Sequence, residues 1–257
     1  PGRKPIPTRA VLKAVLWILN TGAQWNLLPL GYPNYKTVHR RFQQWCQQEV
    51  LREVLTQLAN TLRDEGTIDE RESFIDATFA AAKGFGEAVG LTKRGKGVKI
   101  LAIGLGRLAL SVSTHAANHH EVTLVQLSFD FYMLEAKPEH LIGDRAYDSD
   151  GLDDDLKQNG VNMIAPHRST RKLNTQDGCH LRRYERRWLV ERFFVWLQWK
   201  RRLLIRWEYY ATNFLGFVQL ACITMLLKQF EIGSSLSTVS SATARFNRLF
   251  SRSSSFR

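Results

Sequence analysis

The sequence predicts an α/β fold in which a mixed sheet flanked by helices follows a small all-helical domain. Three observations predict it. Apolar residues recur at helical spacing up to residue 62, short strand-like runs give way to helical stretches after Gly66, and two long helical stretches follow. At 257 residues the chain is long enough to bury a core without covalent staples.

In the first stretch Val11, Leu12, Val15, Leu16 and Leu19 share a helix face, with Thr8 as N-cap and Gly22 just past the end. A second helix starts near Asn34 and runs through Val38, Phe42 and Trp45, flanked by Lys36, Arg40 and Arg41; a third covers Val50 to Leu62. Residues 1–66 therefore read either as a helix-turn-helix-like DNA-binding domain, with Arg40 and Arg41 as phosphate contacts, or as a helical cap on the next domain. Because residue 1 is Pro, the chain is expected to be a fragment that lacks its true start.

Residues 67–232 carry the sheet. Ser73–Asp76, Val98–Ile103, Leu108–Thr114, His140–Ile142 and Asn162–Ala165 are the expected strands. Glu121–Phe131 and Asp153–Gln158, the latter capped by Gly160, are expected helices, as are about Arg183–Leu204 and Asn213–Phe230. From Gly233 the composition shifts to Ser, Thr and Arg without an acidic residue, so 233–257 is expected to be a flexible tail.

Composition limits the function. Cys46, Cys179 and Cys222 show no Cys-x-x-Cys spacing, which argues against a disulfide framework or a structural zinc site and for buried thiols in a reducing cytoplasm. No apolar stretch is expected to cross a membrane. A net charge of +12 and a pI near 9.9 call for a polyanionic partner, most economically nucleic acid.

Three separated acids then carry the chemistry. Asp76 and Asp144 each follow a short apolar strand, where a carboxylate can project from a sheet into a cleft, although an Asp there also serves as a cap or turn residue. Glu191 lies on one helical stripe with Tyr184, Arg187, Val195, Gln198 and Arg202; it needs a cation, either Arg187 or a metal. Hard carboxylates suit magnesium, and two such ions about 4 Å apart can activate a nucleophile and stabilise a leaving oxygen at a phosphodiester. The loop Lys93-Arg94-Gly95-Lys96-Gly97 is either a DNA-backbone contact or a solvated hairpin, and Arg168, Arg171 and Lys172 form a similar loop. Trp188 and Trp196 are expected in a core, and Asp148 to Asp155 are expected to cap and solvate a helix. His115, His119 and His120 have no completing ligand and do not make a zinc site.

Phe74-Ile75-Asp76-Ala77-Thr78, Gly143-Asp144-Arg145-Ala146-Tyr147 and Tyr184-x2-Arg187-x3-Glu191 resemble the acidic motifs of bacterial insertion-sequence transposases of the DDE type, the group numbered five. The resemblance extends over nearly all of residues 8 to 230, including Trp17–Trp25 and Thr37–Phe42. It implies a ribonuclease-H-like catalytic domain and two Mg2+ or Mn2+ ions held by Asp76, Asp144 and Glu191. It further implies that Tyr184, Arg187, Arg202, Lys93, Arg94, Lys96, Arg40 and Arg41 meet double-stranded DNA. The implied reaction is cleavage and joining at terminal inverted repeats by a homo-oligomer in the bacterial cytoplasm, associated with the nucleoid when DNA-bound. The chain departs from the family at Gln198, where a basic residue is expected, and at Gly104-Leu105-Gly106, which lacks an aspartate. A nuclease without strand transfer and a catalytically inactive DNA-binding remnant are the alternatives.

Overall fold

In the computed structural model, residues 6–66, 71–105, 108–171 and 181–233 are described. The chain forms two compact units that interleave in sequence: Pro1–Leu58, Lys83–Glu87 and Leu197–Arg257 in one, Ala59–Ala82 and Ala88–Trp196 in the other. This differs from a boundary at Gly66, because the C-terminal helix groups with the N-terminal helices.

The first unit is built on α1 (Thr8–Thr21), α2 (Tyr35–Gln47) and the start of α3 (Val50–Asp64). Thr8 is the first helical residue of α1, and the preceding Pro7 carbonyl accepts from Ala10 and Val11. Gly22 ends the helix in the left-handed region at φ 72°, and its N–H donates to Ile18, as a C-terminal glycine cap requires. Asn34 caps α2 by accepting from the Lys36 N–H at 3.0 Å. The last helix of this unit, Ala211–Gly233, buries Phe214, Phe217, Val218 and Leu220. The Phe217 ring centroid lies 4.4 Å from that of Phe42 and 5.8 Å from that of Trp25. Gly216 lets Cys46 approach, since a Cβ there would lie 2.3 Å from the Cys46 sulfur. Its segment Ala211–Lys228 is long and apolar enough to cross a membrane by length and composition, contrary to the sequence reading; 67% of it is buried in the protein. Cys46 and Cys222 are buried free thiols, as expected, and burial pushes the Cys222 thiol up to about 12. Cys179, Lys172 and the expected tail beyond Gly233, which ends this helix, lie outside the described residues.

The second unit holds the expected mixed sheet flanked by helices. Its strands are β1 (Glu72–Ala82), β2 (Gly90–Thr92), β3 (Gly95–Leu105), β4 (Leu108–Ala116), β5 (His140–Ile142) and β6 (Asn162–Ile164). β3 runs antiparallel to β1 and, along its other edge, to β4 and β2; β5 is parallel to β1, and β6 parallel to β5. Helices α4 (Glu121–Phe129) and α5 (Asp150–Gln158) cover one face. There Leu124, Val125, Phe129, Leu152 and Leu156 pack with Ile75, Leu101, Ile103, Leu141 and Met163.

Two expected elements are corrected. β1 does not stop at Asp76 but continues to Ala82, because β3 pairs with it through Ala81↔Gly97. The expected helix 183–204 is broken into a 3-10 turn (Arg182–Arg187), a helix α6 (Trp188–Gln198) and a second 3-10 turn (Arg201–Leu203). Within the first unit, Lys200 is extended and Arg202 turns inward. Arg202 Nε and Nη2 donate to Glu208 Oε1 at 2.8 and 2.6 Å, and Nη1 donates to the Ala23 carbonyl at 2.8 Å. Both side chains are 3% exposed. Arg202 is therefore a core residue and not the DNA contact expected from its helical stripe.

Removing one partner of such a pair leaves a buried charge uncompensated. Glu208→Ala is expected to cost about 3–5 kcal/mol in urea unfolding of the full chain, while the double change Arg202→Met with Glu208→Leu recovers most of that loss. A single-variant loss below about 1 kcal/mol contradicts the structural role.

Candidate active site

The site lies in the second unit. Successive β-strand residues alternate faces, so Glu72, Phe74 and Asp76 share one face of β1 while Ile75 enters the core opposite. The β1–β5 ladder ends at Phe74↔Ile142. Asp76 and Asp144 each lie two residues beyond that pair, which brings both to the same end of the ladder, near enough for the Asp144 charge to act on Asp76. Gly143 is needed because a Cβ would fall 2.7 Å from both Met163 and Tyr147 side-chain atoms. Asp144 caps the 3-10 turn Arg145–Tyr147 by accepting from the Ala146 N–H at 2.8 Å.

A network absent from the sequence reading fixes that turn. Arg168 Nε and Nη2 donate to the carbonyls of Arg145 and Ala146 at 3.1 and 2.8 Å. Asp148 accepts from the Arg168 N–H at 2.7 Å, lies 3.0 Å from His167 Nδ1 and pairs with Arg171. Arg171 also pairs with Asp150. This basic loop is thus bound to the acids after Asp144, and Asp148 clamps a loop as well as preceding a helix. Although burial works to raise it, the Asp148 pKa is held below its ordinary value by these donors.

Glu191 sits in the first turn of α6, where a negative charge suits the helix dipole. It reaches the sheet acids through Arg187. Arg187 Nη2 donates to Asp76 Oδ2 at 3.0 Å, and Nη1 lies 3.4 Å from Glu191 Oε1. Nη1 also donates to the Tyr184 hydroxyl at 3.3 Å. The turn that delivers Arg187 is anchored by Glu72, which pairs with Arg183 at 3.2 Å and with Arg186. Burial raises the Asp76 pKa, and the Asp144 charge adds to this, while the Ala77 N–H and Arg187 work against it. Burial works to lower the Arg187 pKa, but Tyr184 and Asp76 more than offset it.

Both open readings of Glu191 meet in this geometry. The Arg187 ion pair is present, and among the described residues no three His, Cys, Asp or Glu side chains lie close enough to hold an ion as the chain stands. The guanidinium occupies the position between two of the acids. The donor set still fits a divalent ion, since it is all carboxylate oxygen, and the desolvated Asp76 beside Asp144 requires positive charge.

Elsewhere in the second unit, Lys93 and Arg94 are exposed on a turn in which Gly95 takes φ 97° and the Thr92 hydroxyl donates to the Gly95 carbonyl at 2.9 Å. They rim a cleft of about 430 Å³ that also contains Ala77, Thr78, Lys99 and Glu121. Lys96 is half-buried on β3. In the first unit Arg40 is exposed on α2, whereas Arg41 is half-buried, donates to the Thr8 hydroxyl at 3.2 Å and lies over the Trp45 ring. Trp188 is 47% exposed, not core, with the Arg192 guanidinium 4.5 Å from its ring centroid. Trp196 is half-buried. His115 closes β4 with its Nε2 2.8 Å from the Ser113 hydroxyl. Tyr147, which the charges of Glu121, Asp76 and Asp144 all reach, and Glu121 were both missed by the sequence reading; the signal available for Glu121 was its place in the first turn of a helix.

An aspartate on β1, a second just past β5 and a third acid joined to the first through Arg187, in a strongly basic chain, are the donor types that metal-dependent phosphodiester chemistry uses. Comparison with known proteins narrows the class. Residues 68–226 match the family described as transposase DDE domain, and residues 1–55 match that described as putative transposase of the IS4/5 family. The chain belongs to the DDE transposase family, whose members use divalent metal ions.

A putative transposase for insertion sequence element IS6501 of Brucella ovis is 38% identical over 93 residues, 35% of this chain and 68% of the relative. From Burkholderia cepacia, an uncharacterized 16.2 kDa protein of insertion element IS402 is 33% identical over 94 residues, 36% of this chain and 64% of the relative. The putative transposase of IS402 is 35% identical over 86 residues, 34% of this chain and 37% of the relative. This chain therefore spans less than two thirds of both Burkholderia proteins. Among solved structures, the piggyBac transposase synaptic complex with hairpin DNA aligns at a TM-score of 0.42 and 9% identity, over 72% of this chain and 53% of that one. That likeness is too low to carry an argument.

A raised carboxyl pKa favours folding only while the group is protonated: its contribution is present below the unfolded pKa and is lost as pH rises through the higher folded value. Asp76→Asn is therefore expected to raise the melting temperature relative to the parent chain at pH 7, and the gap is expected to close towards pH 3. A variant less stable than the parent at pH 7 and level with it at pH 3 contradicts the charge-burial account.

Proposed function

We propose that this chain is a DNA transposase that binds the terminal inverted repeats of an insertion sequence, hydrolyses a phosphodiester at each end and joins the freed 3′ hydroxyl to target DNA. The observation that carries this reading is the matched placement of Asp76 and Asp144 beyond one parallel ladder, with Glu191 joined to Asp76 through Arg187. Asp76, Asp144 and Glu191 would hold two Mg2+ or Mn2+ ions. Bound there, the ions supply Lewis acidity at the phosphoryl oxygens and an activated hydroxyl nucleophile.

The protein's own residues do the rest. Asp76 and Asp144 fix the place of reaction on the rigid sheet. Arg187, steadied by Tyr184, leaves the gap between Asp76 and Glu191 and turns its guanidinium to a phosphate, a partner its planar fork suits. Lys93 and Arg94 meet the backbone beside the cleft, with Lys96 behind them on β3, and exposed Trp188 with Arg192 offers a stacking surface. Arg40, with Arg41 bracing α2, contacts DNA from the helical unit. The active form is a homo-oligomer on paired ends, working on the nucleoid.

Labelled DNA carrying the repeats that flank the gene tests this. With magnesium, the parent chain cleaves at the repeat end and joins pre-cut ends to a target; Asp144→Asn binds with unchanged affinity and cleaves at least 100-fold more slowly. Parent cleavage without joined product reduces the activity to a nuclease, and no cleavage by parent or variant leaves a DNA-binding remnant. Charge reversal of Lys93 and Arg94 to Glu is expected to weaken binding to all sequences and to lower the slope of log K against log salt by about 2.

A further inference from the structure

One buried hydroxyl lies within the electrostatic reach of carboxylates from three separate elements. Tyr147 is fully buried, and its phenol feels the charges of Glu121 on α4, Asp76 on β1 and Asp144 after β5. Its oxygen makes no hydrogen bond of ordinary geometry, although the Glu121 carboxylate lies close by. A buried hydroxyl in that state costs about 1–3 kcal/mol, so folding alone does not favour it. Glu121 is held towards this point by Lys99 Nζ at 3.1 Å, and Lys99 also donates to the His119 carbonyl at 2.8 Å. Glu121 lines the same cleft as Ala77 and Thr78, the residues that follow Asp76.

We propose that Glu121 and Tyr147 are positioning residues of the divalent-ion site at Asp76 and Asp144, and act on the ion through its hydration shell. This rests on the reading above that these aspartates bind a divalent ion. Magnesium and manganese keep several waters when the protein gives them only one or two carboxylates, and those waters need outer acceptors and donors. Glu121 supplies the acceptor and the Tyr147 hydroxyl the donor. Groups in such outer positions are typically worth 10–100-fold in metal affinity.

The test is titration of Mn2+ alone into the full chain, without DNA, followed by electron paramagnetic resonance and paired with thermal melts. Glu121→Gln is expected to weaken Mn2+ binding about 10-fold and Tyr147→Phe several-fold, while Lys99→Met, which frees the Glu121 carboxylate, leaves it equal or tighter. Asp144→Asn should abolish it. A purely structural Lys99–Glu121 pair predicts instead that Glu121→Gln and Lys99→Met lower the melting temperature alike and leave Mn2+ affinity within twofold of the parent. That result, with Asp144→Asn still losing the ion, overturns this proposal and leaves the aspartate site standing. Binding unaffected by Asp144→Asn, or absent in the parent, overturns both.

Discussion

A carboxylate in the middle of a sheet strand is the constraint on which the second unit depends. Asp76 has neighbours on both sides along β1, and its burial disfavours the charged form. A fixed cation must compensate, and the surrounding elements deliver one. Glu72, on the same face four residues earlier, holds Arg183 and Arg186 and so fixes the turn that presents Arg187 to Asp76. One strand face thus organises three arginines with two acids.

The second half of the site has a different kind of rigidity. Asp144 lies beyond a three-residue strand, where the ladder no longer holds it. Its position comes from crowding at Gly143 and from Arg168, which grips two carbonyls of the following turn while Asp148 grips the Arg168 backbone. Such preorganised contacts mean that the Asp144 segment need not be ordered when a partner binds.

Local signals were legible in sequence where one short segment decides the outcome. Gly22 and Gly160 end their helices at positive φ, Asn34 begins one, and the acids at 76, 144 and 191 were picked out by their settings. What depends on distant partners was not. Ala77 to Ala82 has too little β-branched character to declare a strand, and becomes one by pairing with β3. The helix expected through Leu204 breaks because Arg202 is drawn to Glu208, and that pairing also removes Arg202 from the surface. The grouping of the C-terminal helix with α1 and α2 rests on contacts such as Phe217 with Phe42, between residues far apart in the chain. Trp188 was placed in the core by its apolar helix, yet the side chain lies outside it. Glu121 and Tyr147 escaped notice because only folding brings Tyr147 within reach of the charges of Glu121, Asp76 and Asp144.

On the proposed function, divalent cations take the position beside Asp76 that Arg187 holds here. A crystal structure of the full chain soaked in manganese, with anomalous difference maps, tests it most directly. The expected result is a peak within about 2.0–2.4 Å of carboxylate oxygens of both Asp76 and Asp144, with the Arg187 guanidinium withdrawn from Asp76. Full manganese occupancy elsewhere, with the Arg187 bonds to Asp76 and Glu191 intact, would contradict it.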